Sequence, residues 1–103
     1  MNRQSINGGG WIDLDTAKKF VEDRHFDGRN MISAATGSQW DHEELYRSVG
    51  GVYVLHTWSQ WQGSRDTWER IGIHGAVSWM LQNDYQPTTP AEEAIVAGLE
   101  VGS

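Results

Sequence analysis

Two glycine-bearing pairs, Gly50-Gly51 and Gly63-Ser64, bracket residues 52–62, a stretch dominated by Val52, Tyr53, Val54, Thr57, Trp58 and Trp61. Glycine reaches the positive φ that tight hairpin turns demand, and β-branched and aromatic side chains suit a pleated, half-buried surface. The punctuation predicts a three-stranded antiparallel meander, with residues 43–49 and 65–71 on either side of the central stretch. That is the simplest arrangement. Ile73, Ala76, Val77, Met80 and Leu81 then recur at helical spacing and predict a helix over 73–83.

The flanks are less regular. Residues 1–10 end in Gly8-Gly9-Gly10 and read as a flexible leader, with neither the lysine nor the preceding strand of a phosphate loop. Residues 11–14 read as extended. Asp13 or Asp15 can cap a short helix carrying Ala17, Phe20 and Val21, and ending near residues 22–24. Residues 26–39 read as loop, with one strand at 30–34. Thr89-Pro90-Ala91-Glu92 has the form of a capping box with proline at the first helical position, so a peripheral helix follows from Pro90. The expected fold class is α+β: a small antiparallel meander of three to four strands, one main helix on one face, and short flanking helices. Residues 11–86 form the domain, and 87–103 form an acidic C-terminal segment.

Turns centred on the two pairs fix a register. Leu45 then lies opposite His56, and Trp68 opposite Ser59. One face gathers Leu45, Val49, Val52, Val54 and Ile71 as the partner of the helix. The other gathers Tyr46, Tyr53, Trp61 and Trp68, with Arg65 and Arg70 nearby. Trp58 falls on the first face, between Glu43 and Glu69. A slip of one residue exchanges the faces. An antiparallel sheet packs one face and solvates the other, so the aromatic face calls for cover by the N-terminal segment, by a partner or by another copy.

Most familiar chemistries find no motif. The chain has 103 residues and no cysteine, which removes disulfides and thiolate zinc sites and fits a cytoplasmic protein. His25, His42, His56 and His74 lack the i, i+4 pairing of a zinc helix, so no metal or cofactor is expected. Glu43 and Glu69 sit about 9–10 Å apart across the central strand. That approaches the spacing of glycosidase carboxylates, yet surface charge beside Arg47 and Arg65 is the plainer reading. Ser38 and Ser59 lack a nucleophile elbow. The longest apolar runs are too short to span a membrane.

Binding is the better expectation. Net charge is −6, with four acids and no base from Asp84 onward, which opposes binding to double-stranded DNA. Six arginines against two lysines, together with six tryptophans, match the composition of protein interfaces. The chain resembles, in general manner only, the small regulatory and inhibitory proteins of bacteria and phages, anti-CRISPRs among them. No motif singles one out. The candidate surface is Tyr46, Tyr53, Trp61, Arg65, Trp68 and Arg70, acting on a protein partner or on a second copy as a homodimer. The alternative is stacking of Trp and Tyr on single-stranded nucleic acid or carbohydrate. The dense Thr57-Trp58-Ser59-Gln60-Trp61-Gln62 segment, which Ser38-Gln39-Trp40 echoes upstream, divides between the faces, Trp58 towards the helix and only Trp61 on that surface.

Overall fold

The computed structural model describes residues 1–61, 63 and 65–99. Gln62 and Ser64, the expected end of the central strand and part of its second turn, lie outside the described residues. So do residues 100–103 of the acidic tail. Among the described residues the fold is α+β, with eight strands in three antiparallel sheets and two helices. The order is β1 (Arg3–Ser5), β2 (Trp11–Asp13), β3 (Lys18–Val21), β4 (Arg24–Phe26), β5 (Met31–Ser33), β6 (Asp41–Arg47), β7 (Tyr53–Ser59), β8 (Thr67–Ile71), α1 (Ile73–Gln82) and α2 (Pro90–Leu99). This exceeds the three to four strands expected, and two helices of equal length replace one main helix.

The main sheet runs β3-β6-β7-β8, so the expected meander is present with an added edge strand. That edge is the segment expected as a short helix. Asp13 closes a turn, its carboxylate accepting from Asp15 N–H and its carbonyl from Ala17 N–H. Residues 18–21 then pair with β6, placing Phe20 opposite Leu45. The apolar stripe Ala17, Phe20, Val21 is too brief to sustain a costly helical nucleus against a free strand edge. The β4–β5 hairpin begins at the expected end of that helix and takes up much of residues 26–39, expected as loop with one strand, and its Asp27 side chain accepts from Arg29 and Asn30 N–H. Residues 3–5 of the expected leader pair with β2.

The register differs from expectation in both hairpins. Ser48 N–H donates to Val52 C=O, and Gly51 adopts φ 84°, so the first turn holds three residues, Val49-Gly50-Gly51. Leu45 consequently faces Leu55, one position from the expected partner. In the second hairpin Trp68 faces His56 instead of Ser59, a shift of three. Both shifts are odd, so β6 and β8 turn over relative to β7. Tyr46 and Trp68 share a face with Val54, His56 and Trp58, while Tyr53 points to the other. Glu43 now faces Thr57 and Glu69 faces Leu55, so no carboxylate pair brackets Trp58.

Each face has its own cover. Phe20, Leu45 and Tyr53 pack with Ala76, Trp79 and Met80 of α1, flanked by Leu55, Ile71 and Tyr85. The expected aliphatic group is thereby divided: Leu45 and Ile71 meet the helix, Val54 lies on the opposite face, and Val49 is 82% exposed. On that opposite face, Ile6 and Ile12 of the N-terminal hairpin cover Tyr46 and Val54. Helix α1 ends in a Schellman motif. Tyr85 N–H reaches Met80 C=O, Asp84 N–H reaches Leu81 C=O, and Asp84 takes φ 65°.

Helix α2 begins as its sequence predicted, with Glu92 N–H donating to Thr89 Oγ1 and Glu92 Oε1 accepting from Thr88 and Thr89 N–H. Its start is not peripheral, however. Glu92 is fully buried, and its other oxygen accepts from Arg47 at 2.7 Å and from the Tyr53 hydroxyl. One carboxylate ties the helix start to two strands of the sheet.

Candidate functional site

The six residues expected to form one surface divide four ways. Tyr53 is buried against α1 with its hydroxyl on Glu92, a bond that together with burial pushes the phenol up to about 12. Tyr46 is buried beneath the N-terminal hairpin and donates to Glu44 Oε1 at 2.8 Å. Its phenol is raised by burial first and by that carboxylate second. Arg70 is exposed, opposite Val54. Trp61, Arg65 and Trp68 remain at one end of the sheet.

Tyr46 and Trp68 belong to a row of rings that crosses the sheet. His42 meets Trp58 at 5.5 Å, Trp58 meets His56 at 4.9 Å, His56 stacks on Trp68 at 3.8 Å, and Trp68 meets Tyr46 at 5.4 Å. Carboxylates fasten the row. His56 Nδ1 lies 2.7 Å from Glu44 Oε1, and its Nε2 lies 2.9 Å from Asp66 Oδ2. His42 Nδ1 lies 2.8 Å from Glu22 Oε2, and its buried Nε2 has no hydrogen-bond partner among the described residues. His56 therefore has no ring nitrogen left for a substrate, and His42 is only 4% exposed.

Glu44 sits at the centre of this network. Burial pushes its carboxyl up, but bonds from His56, Tyr46 and Lys19 outweigh that and hold it below the ordinary value. Glu92 behaves alike: burial raises it, and Tyr53, Arg47, Thr89 and Thr88 bring it lower. Glu43 goes the other way, lifted by burial, partly offset by the Trp79 indole N–H, and lifted again by the charge of Glu22. The lowered pair hold stability that is complete above the ordinary value of 4.5 and is lost as pH falls through their lowered values. Glu43 holds stability that is complete below 4.5 and is lost as pH rises through its raised value. Two heavily bonded carboxylates outweigh one, so the urea midpoint should drop between about pH 5 and about pH 3. The drop should be shallower in Glu92→Gln.

An exposed aromatic surface lies at the sheet end, apart from the exposed Trp11 on β2 and Phe26 on β4. Ser38 Oγ accepts from Trp40 N–H at 3.0 Å, and Ser59 Oγ accepts from Trp61 N–H at 3.2 Å. The repeated Ser-Gln-Trp tripeptide thus folds twice into the same serine-headed turn. Gln60 N–H donates to Trp40 C=O at 2.9 Å and joins the two turns. Their indoles meet at 5.1 Å with a 41° tilt, and they are 41% and 59% exposed. Beside β8, a groove of about 400 Å³ is lined by Ser5, Ile6, Asn7, Arg65, Asp66, Thr67 and Trp68. Trp40 was absent from the expected surface. Its signal was the tripeptide echo, which becomes legible as a pair only once β6 and β7 bring Asp41 opposite Ser59.

Among the described residues, no group of three or more His, Asp or Glu side chains is arranged to hold a metal ion, and no helix is long and apolar enough to cross a membrane. No protein-family model, curated protein or solved structure matches the chain.

Proposed function

We propose that this chain is a non-catalytic binding module that engages a protein partner through the indole-bearing end of its sheet. Trp40, Trp61 and Arg65 supply the contact, and the adjoining groove beside Trp68 supplies its border. The observation that carries this reading is the Trp40–Trp61 pair, two large exposed rings packed on each other, each on a main chain held by its own serine turn. Exposed Trp and Arg are the residue types that dominate binding energy at protein interfaces. Rings that already pack on each other lose less freedom on binding than isolated ones. A regulatory or inhibitory role by occupation of a partner's surface fits a domain of this size. A second copy of the chain is one candidate partner.

The non-catalytic part rests on the histidines, since a general base must reach the proton it abstracts. In the ring row His56 is committed to two carboxylates and His42 is shut in the interior, while His25 and His74 are exposed and lie outside that row. Stacking on single-stranded nucleic acid uses similar rings, but among the described residues Arg65 is the single cation lining the groove, and the chain carries −6.

The test is affinity for whichever partner co-purifies, or for self-association, measured on the wild type and on Trp61→Ala. A fall of about tenfold or more is expected with unchanged far-UV circular dichroism. Unchanged affinity would remove Trp61 from the interface. Salt-sensitive oligonucleotide binding that is lost on Arg65→Ala would favour nucleic acid instead.

A further inference from the structure

We infer that the hollow between β3 and the start of α2 is a binding site for a phosphate group, free or carried by a small molecule. It lies at the opposite end of β6 from Trp40 and stands independently of the binding reading above. The hollow holds about 590 Å³ and is lined by Lys18, Lys19, Phe20, Arg47, Tyr85 and Glu92, among others. Small-molecule sites commonly enclose about 300–1,000 Å³. Charge sets this one apart. Its lining has three bases and one acid, a net +2, whereas the rest of the chain has five bases and thirteen acids, a net −8. The groove beside Trp68 has one base and one acid, and another beside Trp58 sets Glu22, Asp23 and Glu44 against Arg24. A positive concavity on an acidic protein draws anions to that one place.

The register supplies the reason. Lys18 and Arg47 are direct partners across the β3–β6 ladder, so two positive side chains stand side by side. Like charges placed in this way destabilise a sheet. Phe20 keeps the two together without neutralising either, with Arg47 Cζ 5.4 Å and Lys18 Nζ 5.9 Å from its ring centroid. Glu92 answers only part of the charge. Arg47 reaches it through Nη1, while Glu92 Oε1 is turned to Thr88 and Thr89 N–H and the other oxygen also takes the Tyr53 hydroxyl. The bidentate pairing that a guanidinium favours is therefore not made. Among the described residues, Arg47 Nε and Nη2 and Lys18 Nζ make no hydrogen bond or ion pair, and none of the three is sealed in the interior. Lys19 is engaged by Glu44 at 3.2 Å. A guanidinium edge and an ammonium side by side match the charge of about −2 on a phosphate, whereas a single carboxylate neutralises only one of them.

An amide NMR titration of the wild type and of Lys18→Ala tests this, using inorganic phosphate and, at matched pH and ionic strength, acetate. Lys18 is exposed, and circular dichroism confirms that the variant is folded. The expected result with phosphate is a saturable shift confined to residues 18–20, 47 and 85–88, with no such shift in acetate. The phosphate dissociation constant should rise about tenfold in Lys18→Ala. Phenyl phosphate, whose ring can lie against Tyr85, separates the two sources. Tighter binding than inorganic phosphate assigns the site to a phosphate ester, and equal or weaker binding assigns it to the free ion. Shifts that fail to saturate, or a dissociation constant unchanged in Lys18→Ala, would mean an adventitious ion only and overturn the inference. Equal response to acetate also overturns it.

Discussion

Glu92→Ala should lower unfolding free energy by about 3–5 kcal/mol in urea denaturation followed by tryptophan fluorescence. Glu92 is completely buried, and its two oxygens accept from Arg47, Tyr53 and the N–H groups of Thr88 and Thr89. Truncation strands a largely buried guanidinium and a buried hydroxyl, and it removes the reciprocal carboxylate half of the α2 capping box at the same moment. Removing one member of a buried ion pair is costly because the other keeps its desolvation penalty. Small domains have about 5–15 kcal/mol in all, so the variant should be close to the edge of folding. Glu92→Gln keeps much of the hydrogen bonding and should lose less. Thr89→Ala, which removes only the local cap, should cost about 1 kcal/mol. A loss of about 1 kcal/mol in Glu92→Ala as well would mean that the carboxylate is a helix cap and nothing more.

The second large effect lies in the core. Leu45→Ala should cost about 2–5 kcal/mol, because Leu45 has no exposed surface and packs among Phe20, Tyr53, Ala76, Trp79 and Met80. Its neighbour in sequence provides the contrast. Val49 belonged with Leu45 in the register anticipated from the turns, yet it occupies the three-residue loop and is 82% exposed. Val49→Ala should therefore change stability by no more than about 0.5 kcal/mol. Comparable losses at the two positions would restore the anticipated register. Unequal losses support the turn geometry described above.

That contrast marks where sequence reasoning reached and where it stopped. The two helices were legible because each carries a strong local signal, the 3.6-residue apolar stripe of α1 and the Thr89-Pro90-Ala91-Glu92 start of α2. The meander was legible because glycines punctuate it. Register was not, since Gly50-Gly51 serves a two-residue turn and a three-residue turn equally well, and one residue turns a whole strand over. Strands β1, β2, β4 and β5 have three residues each, too few for any periodicity to emerge. The role of Glu92 was half legible. Its cap is local, but Arg47 and Tyr53 lie 45 and 39 residues away and reach it only through the fold. Of the anticipated surface, Trp61 and Arg65 are exposed at the sheet end and Trp68 borders it. Tyr46 and Tyr53 went inside, on opposite faces, because odd register shifts separated them and buried carboxylates took their hydroxyl groups.

The central claim is that the twin Ser-Gln-Trp turns hold a pair of indoles for contact and not for folding. The most direct test is the urea midpoint of the Trp40→Ala/Trp61→Ala double variant, measured beside its affinity for the partner. The expected stability loss is no larger than about 1.5 kcal/mol, the value of one aromatic pair, with binding reduced about tenfold or more. A double variant that loses several kcal/mol, or that unfolds without a cooperative transition, would place these indoles in the structural core and contradict the account.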